Sequence, residues 1–213
     1  AQAFFAAWGH AVGLEIQVEK RVPMEAGMAG GSTDAAATLK GMNRLFDLGC
    51  TLKDLMELGV KIGADVPYCV MGGTALAEGI GEKLTPLAPA PDCYVLVAKP
   101  DINVSTKYVY EHLDAQEIVK HPDIDGMVEA IAEESLQGIL DRMENVLETV
   151  TVSAYPIIQT IKDRMKELGA INSLMSGSGP TVFGIFVEKD MARRAYDLSL
   201  IHISEPTRPI SIS

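Results

Sequence analysis

The sequence predicts a protein of mixed helices and strands arranged in two domains. Segments with apolar residues at helical spacing are interspersed with short runs that alternate apolar and polar residues, or are continuously apolar, as strands require. A proline-rich stretch without charged residues, Pro86–Pro91, separates two such sets of elements. We therefore predict one domain over residues 1–90 and a second over residues 91–198.

Composition limits the classes of function. The 213 residues carry a net charge of −11 and are 47% hydrophobic, which is typical of a folded globular protein. The negative balance argues against nucleic-acid binding, because phosphate backbones are bound by clustered Lys and Arg. No run approaches the ~18 apolar residues of a membrane span, and the first residues lack the positive charges of a signal peptide. We expect a cytoplasmic monomer or homodimer that binds small molecules.

The cysteines and histidines do not form a recognisable metal or disulfide pattern. Cys50, Cys69 and Cys93 are odd in number and contain no CxxC pair, and the four histidines lack HExxH spacing. We expect reduced thiols and no protein-held metal site.

In the first domain, Leu14–Glu19 alternates apolar and polar residues, which predicts a strand with one solvated face. A glycine-rich turn follows, and apolar residues at helical spacing after it predict a helix. Ser32 or Thr33 would cap this helix, and Asp34 would suit its first turn.

Further elements of this domain come from capping and turn residues. Thr51–Asp54 resembles a capping box and predicts the start of a second helix. Gly63–Pro67 ends that helix, and Pro67 is expected to keep Val66 out of the helical region. Gly73–Glu78 is predicted to be a strand that leads into a tight turn.

The second domain is predicted to contain two buried strands, Tyr94–Ala98 and Thr181–Val187. Gly169 is the expected C-terminal cap of the helix that precedes the second of them. The predicted helices begin at Ser105, lie near Asp125–Ile131 and Leu136–Met143, span Tyr155–Leu168, and begin again at Asp190.

The two ends of the chain are expected not to match a complete protein. The sequence has no initiator Met, so we expect it to begin inside a longer protein. Residues 199–213 lack periodicity, and Leu200–Pro209 resembles a translated sequencing adapter. We expect this tail not to belong to the fold, the alternative being a native disordered tail.

The strongest chemical signal is the glycine-rich segment within Pro23–Ala36. Three glycines are followed directly by Ser32 and Thr33, at a point where a helix is expected to begin. Glycines let the backbone approach a ligand, and the free N–H groups of a helix start attract an anion. We predict a phosphate site, with a simple tight turn as the alternative. It is not a P-loop, since no Lys follows the glycines.

Two other segments are candidates for the same site. Asp65 lies at an irregular break after an apolar helix and could be a general base, a magnesium ligand or a turn residue. Met175–Pro180 contains two glycines and two serines between apolar segments, and could be a turn or a phosphate contact.

Together, these segments resemble the GHMP kinase superfamily, whose members carry a glycine-serine phosphate loop and a second, late glycine-serine loop. The resemblance runs from the first residues to about Leu198. It rests on five blocks in one order: Ala26–Ala36, Ile62–Tyr68, Gly72–Glu82, Asn145–Glu148 and Met175–Gly179.

The resemblance implies a two-layer α+β fold, with the remnant of an S5-like N-terminal domain and a ferredoxin-like C-terminal domain. It also implies ATP and Mg²⁺ as cofactors and Asp65 as the residue that accepts a proton from the hydroxyl to be phosphorylated. The implied ATP-binding residues are Pro23, Ala26, Gly27, Met28, Ala29, Gly30, Gly31, Ser32 and Thr33. The implied substrate-binding residues are Thr106, Tyr110, Ser176, Gly177, Ser178 and Gly179.

Within the superfamily, the blocks at Asp65 and Gly79–Glu82 resemble the branch that phosphorylates the 2-hydroxyl of 4-diphosphocytidyl-2-C-methyl-D-erythritol in non-mevalonate isoprenoid biosynthesis. The alternatives are another small-molecule kinase of the homoserine or mevalonate type, or a non-catalytic relative with the same fold. Members of this branch begin with a strand bearing Lys and Asn that has no match here. We therefore expect this chain to be an incomplete kinase.

Overall fold

The computed structural model describes residues 2–8, 13–23, 26–113 and 121–202. The chain divides into two compact units, which are described separately. The first comprises Ala1–Met24 and Ala29–Pro89, and the second comprises Glu25–Met28 and Ala90–Ser213.

The first unit is mainly helical. Its helices α2, α3 and α4 pack together, and its two strands form an antiparallel hairpin in which Glu78 faces Lys83. The elements are α1 (Gln2–Trp8), α2 (Gly30–Leu45), α3 (Leu52–Val60), α4 (Val66–Met71), β1 (Ala75–Glu78) and β2 (Lys83–Pro86). The core consists of Phe4, Ala36, Leu39, Met42, Leu55, Leu58, Val66 and Val70.

The predicted capping box at the start of α3 is confirmed. The Thr51 hydroxyl accepts a hydrogen bond from the Asp54 backbone N–H at 3.2 Å, and the Asp54 carboxylate accepts one from the Thr51 N–H at 2.8 Å. This arrangement satisfies backbone donors that a helix start otherwise leaves unpaired.

Two local predictions for this unit are wrong. Leu14–Glu19 is not a strand, because no strand in the described part of the chain pairs with it, and Ile16 and Val18 are exposed. Val66 is not excluded from helix but is the first residue of α4. Pro67 is tolerated there because the first turn of a helix needs no donor at that position.

The helix that follows the glycines begins at Gly30, and neither Ser32 nor Thr33 caps it. Its N-cap is Ala29, in a left-handed conformation, and no side chain among the described residues bonds to the free amides of the first turn. Asp34 falls beyond the first turn.

The second unit contains one three-stranded antiparallel sheet in the order β3-β5-β4. Helices α9 and α10 pack against this sheet and share one core with it, so the unit has two layers. The elements are β3 (Tyr94–Ala98), α5 (Thr106–His112), α6 (Ile124–Ala132), α7 (Leu136–Arg142), α8 (Glu148–Ala154), α9 (Ile157–Glu167), β4 (Asn172–Met175), β5 (Val182–Phe186) and α10 (Lys189–His202).

The predicted strands and helices of this unit are confirmed, with ends shifted by one or two residues. Gly169 follows α9 with φ +99°, as expected of a glycine that ends a helix. The helix α8 and the strand β4 were not predicted. Of the predicted tail, residues 199–202 lie in α10, and residues 203–213 lie outside the described residues.

No helix in the described part of the chain is long and apolar enough to cross a membrane.

Candidate active site

The start of α2 presents unpaired backbone donors. The first amide to bond within the helix is that of Thr33, which donates to the Ala29 carbonyl at 2.9 Å. The amides of Gly30, Gly31 and Ser32 precede it and have no acceptor among the described residues. A 16-residue helix that begins with unpaired amides offers both donors and the positive end of its dipole to an anion.

The glycines of this segment have different roles. Gly31 is exposed, and a Cβ added there would meet no atom within 4 Å, whereas a Cβ at Gly30 would contact the Val22 side chain at 3.1 Å. The conformation that requires glycine occurs earlier, at Gly27. Its φ is +67°, and a Cβ there would overlap the Ser176 carbonyl oxygen.

A cation lies beside the same helix start. Lys20 Nζ is 2.5 Å from an Asp34 carboxylate oxygen, and both side chains are a little more than one third exposed. Lys20 Nζ is also 3.7 Å from the Cβ position at Gly30. No role for Lys20 follows from the sequence, which shows its charge but not its position beside the glycines.

Asp65 is the N-cap residue of α4 and does not cap it. Its φ of −83° and ψ of −11° are helical, and its carboxylate makes no capping hydrogen bond. The carboxylate is exposed and has no partner among the described residues. The sequence predicted an irregular break at Asp65, but its backbone is helical and leads directly into α4.

Helices α2 and α4 meet near their starts. Thr33 Oγ1 lies 3.6 Å from Cys69 Sγ, and Cys69 is one turn after Asp65, whose carbonyl accepts its N–H. The first turn of α2 is therefore in contact with the helix that carries Asp65.

In the second unit, the segment Ser176–Gly179, here called the Gly-Ser loop, joins β4 to Pro180 and β5. The Ser176 hydroxyl donates to the Gly27 carbonyl at 2.7 Å, and the Gly179 N–H donates to the Ser176 carbonyl at 3.0 Å. Gly177 and Gly179 have φ values of +57° and +86°. The loop thus holds residues 26–28 of the glycine-rich segment by a direct side-chain contact.

Two predicted substrate residues lie together in this unit, and a third follows on the same helix. Thr106 Oγ1 is 2.9 Å from Ser178 Oγ, which is buried. Tyr110 lies one turn further along α5 and is 61% exposed. An exposed aromatic ring one turn from a pair of hydroxyls could stack on a planar base while the hydroxyls bond to polar groups.

Three other polar residues, to which the sequence assigned no role, bond to the backbone of the Gly-Ser loop or of Met175 just before it. They are Asn145, Glu148 and Thr151. Asn145–Glu148 is one of the blocks on which the resemblance rests. In the sequence, the only sign that these three residues lie on one side of a helix is that they follow one another at intervals of three.

These features define a protein with a helix start that presents unpaired backbone amides and with a separate loop rich in glycine and serine. Two family models match the chain, "GHMP kinases N terminal domain" over residues 1–73 and "GHMP kinases C terminal" over residues 127–197. A 4-diphosphocytidyl-2-C-methyl-D-erythritol kinase of Caldicellulosiruptor bescii is 50% identical over 91% of this chain and 68% of its own length. The chain belongs to the GHMP kinase family, as predicted.

Other relatives carry the same name. The 4-diphosphocytidyl-2-C-methyl-D-erythritol kinase of Lachnospira eligens is 60% identical over 83% of this chain. That of Lachnoclostridium phytofermentans is 58% identical over 86% of this chain. The chain spans 62% and 63% of the lengths of these two relatives.

Solved structures confirm the fold class. A crystal structure of 4-(cytidine 5'-diphospho)-2C-methyl-D-erythritol kinase matches with a TM-score of 0.74 and 34% identity, over 86% of this chain and 65% of that one. Homoserine kinase from Cytophaga hutchinsonii matches with a TM-score of 0.74 and 20% identity, over 91% of this chain and 66% of that one. The second match concerns the fold alone.

Proposed function

We propose that this protein is an ATP-dependent kinase that phosphorylates the 2-hydroxyl of 4-diphosphocytidyl-2-C-methyl-D-erythritol, in the cytoplasm. The observation that carries this proposal is the start of α2, where three backbone amides have no acceptor among the described residues and Gly31 leaves open space. The names and identities of the relatives support the particular substrate.

The α2 start is proposed to bind the phosphates of ATP. Backbone amides and the helix dipole stabilise negative charge that builds up on phosphate oxygens during transfer. Lys20 lies beside this helix start and adds a positive charge, although Asp34 balances it in the structure. Ser32 and Thr33 are the nearest hydroxyls, and Thr33 already donates to the Ala29 carbonyl at 3.1 Å.

Asp65 is proposed to be the general base. Its carboxylate is exposed and has no partner among the described residues, so it is available to accept the proton of the 2-hydroxyl. The hydroxyl oxygen then forms a bond to the γ-phosphorus, and the bond between that phosphorus and the leaving oxygen of ADP breaks. Catalysis of this type depends mainly on positioning and on charge stabilisation.

The residues present fit a magnesium ion that is held mainly by the nucleotide. In the described part of the chain, no three His, Cys, Asp or Glu side chains are grouped so that they could hold a metal. Mg²⁺ commonly takes only one or two protein ligands and binds substrate phosphates and water at its other positions. The Ser32 hydroxyl could supply such a ligand. When bound, the ion would neutralise phosphate charge.

The second substrate is proposed to contact Thr106, Ser178 and Tyr110. The two hydroxyls lie 2.9 Å apart and can each exchange hydrogen bonds with a polar group. The exposed Tyr110 ring is suited to stack on the cytosine base.

The test is a comparison of three acceptors with the protein produced from its complete reading frame. We expect ADP release with Mg-ATP and 4-diphosphocytidyl-2-C-methyl-D-erythritol, together with a new phosphomonoester signal in phosphorus NMR. Homoserine and mevalonate should give neither. ADP release with one of those acceptors instead would identify another small-molecule kinase, and a lack of Mg-ATP binding would identify a non-catalytic relative.

A further inference from the structure

Three polar residues at intervals of three face the Gly-Ser loop from the segment that begins α8. They are Asn145, Glu148 and Thr151, here called the α8 clamp, and each bonds to the backbone of the loop or of Met175 just before it. Residues three apart near or within a helix lie on one face. The α8 clamp is therefore a continuous polar surface against one side of the loop.

Asn145 holds two carbonyl groups at once. Its Nδ2 donates to the Met175 carbonyl at 2.9 Å and to the Gly177 carbonyl at 2.8 Å. Its Oδ1 accepts the Leu147 N–H at 3.0 Å, which fixes the orientation of the amide group. All of these bonds follow from a side chain with two donors and an acceptor, which neither Asp nor Leu could supply.

Glu148 joins the loop to the core of the second unit. One carboxylate oxygen accepts the Met175 N–H at 2.7 Å, and the other accepts from Lys162 Nζ at 2.5 Å. Lys162 is only 8% exposed. Separation of this ion pair is unfavourable, because it would leave a buried charge without its partner. The pair therefore keeps the Glu148 carboxylate in position.

Thr151 is the third residue of the α8 clamp, and Ser176 connects the Gly-Ser loop to Gly27. The Thr151 side chain is fully buried, and its hydroxyl donates to the Ser178 carbonyl at 3.2 Å. The Ser176 hydroxyl donates to the Gly27 carbonyl at 2.7 Å. A chain of hydrogen bonds thus runs from α8 through the Gly-Ser loop to residues 26–28, which lead directly into the start of α2.

We propose that the α8 clamp is a positioning element that fixes the conformation of the Gly-Ser loop and, through Ser176, of residues 26–28. Its side chains bond to loop backbone and act on a ligand only through that loop. Its effect on the loop stands on the hydrogen bonds alone, whereas its effect on nucleotide affinity rests on the proposed function.

The structure offers a matched pair of variants to test this inference. Thr151 and Thr181 are both buried threonines that adjoin the loop, but Thr181 Oγ1 has no hydrogen-bond partner among the described residues. Thr151→Val removes the bond to the Ser178 carbonyl, whereas Thr181→Val removes a hydroxyl that makes no such bond. Thr151→Ser keeps the hydroxyl and should restore the wild-type behaviour.

The first measurement is amide hydrogen exchange, which needs no nucleotide. At a temperature where all variants are folded, the amides of Ser176 and Gly179 should exchange roughly three- to tenfold faster in Thr151→Val than in wild type. They should be unchanged in Thr181→Val and in Thr151→Ser. Equal exchange in Thr151→Val and Thr181→Val would overturn the inference.

The second measurement is equilibrium binding of Mg-ATP. We expect Thr151→Val to weaken binding roughly three- to tenfold and Thr181→Val to leave it unchanged. If the wild-type protein binds no Mg-ATP, the proposed function fails, and hydrogen exchange alone still decides the role of the clamp. Faster loop exchange with unchanged affinity would limit the clamp to the loop and refute its effect on the nucleotide.

A second variant tests the inference at another residue of the α8 clamp, so that the result does not depend on how Val packs at position 151. Asn145→Asp preserves shape and the acceptor for Leu147 but removes both donors to Met175 and Gly177. Its loop amides should exchange faster, as in Thr151→Val. Wild-type exchange in a folded Asn145→Asp protein would also overturn the inference.

Discussion

Helices α2 and α3 of the first unit begin in opposite ways. At α3, the hydroxyl of Thr51 and the carboxylate of Asp54 satisfy each other's backbone donors, so the helix start is capped by its own side chains. At α2, the N-cap is Ala29 in a left-handed conformation, and no side chain in the described part of the chain bonds to the free amides. The start of α4 resembles that of α2, because Asp65 occupies its N-cap position without bonding to the helix.

The difference shows which helix starts keep backbone amides available for an anion. A capping side chain stabilises a helix by roughly 0.5–2 kcal/mol and occupies the donors that an anion would use. A helix start that lacks this stabilisation keeps its donors, and a noncapping aspartate keeps its carboxylate. In the first unit, the starts of α2 and α4 lack a side-chain cap where that of α3 has one, and the proposed function uses both of them.

The largest effect is expected at Asp65. Asp65→Asn keeps the size of the side chain but cannot accept a proton, so turnover should fall roughly 10²- to 10⁴-fold. Because the side chain makes no capping bond, the melting temperature and the affinity for Mg-ATP should stay near the wild-type values. Initial rates and equilibrium binding, with the protein from its complete reading frame, provide the measurements.

Two other results would contradict the assignment of Asp65 as the general base. A loss of turnover below about tenfold would exclude it as the base. A parallel loss of Mg-ATP affinity would instead indicate a magnesium ligand.

The next largest effect is expected on Mg-ATP affinity, and it should differ between two glycines of the same helix. Gly31 and Gly41 both lie in α2, and both have open space around the position of a Cβ. Gly31→Ala should weaken Mg-ATP binding about tenfold, because a methyl group would stand where phosphate approaches the amides. Gly41→Ala is the control and should leave the affinity unchanged.

Both substitutions are compatible with the fold. Ala has a higher helix propensity than Gly by about 1 kcal/mol, so neither variant should be less stable than wild type. If titration calorimetry gave equal affinities for the two variants, the α2 start would not be the nucleotide site.

The sequence predicted the elements that local signals define. The capping box of α3 and the glycine that ends α9 depend on neighbouring residues alone and were found at the expected positions. The helix α8 was missed because its residues, Glu148–Ala154, include Val and Thr in alternation, which favours strand. Packing of the buried Thr151 against the Gly-Ser loop decides its structure instead.

The candidate site was predictable in its residue types and not in its details. Glycines followed by Ser and Thr indicated an anion site, but the positive φ values fall on Gly27 and Ala29 rather than on Gly30 or Gly31. At Gly27, the carbonyl group contacts Ser176, which is 149 residues away and cannot be inferred from spacing.

A smaller effect is expected at the capped start. Thr51→Ala removes the acceptor for the Asp54 N–H, which should reduce the free energy of unfolding by about 1 kcal/mol. For a chain of this length, the melting temperature should fall by roughly 2–4 °C. Mg-ATP affinity should not change, in contrast to Gly31→Ala. A binding defect in Thr51→Ala would break the distinction between the two helix starts.

The smallest effect is expected on the pH dependence of stability, through the carboxylate of Asp54. Hydrogen bonds from the Thr51 side chain and then from its backbone lower the pKa of Asp54 below its ordinary value. Since the folded pKa lies below that of the unfolded chain, which is about 4, the carboxylate stabilises the fold above that pH. This contribution is lost as the pH falls through the folded pKa. Wild type should therefore be more stable than Asp54→Asn at pH 7, and thermal unfolding at successive pH values should show this difference shrinking in acid. Thr51→Ser, which keeps the hydroxyl, should follow the wild-type curve, whereas a difference that is constant with pH would mean that the charge of Asp54 has no part in the cap.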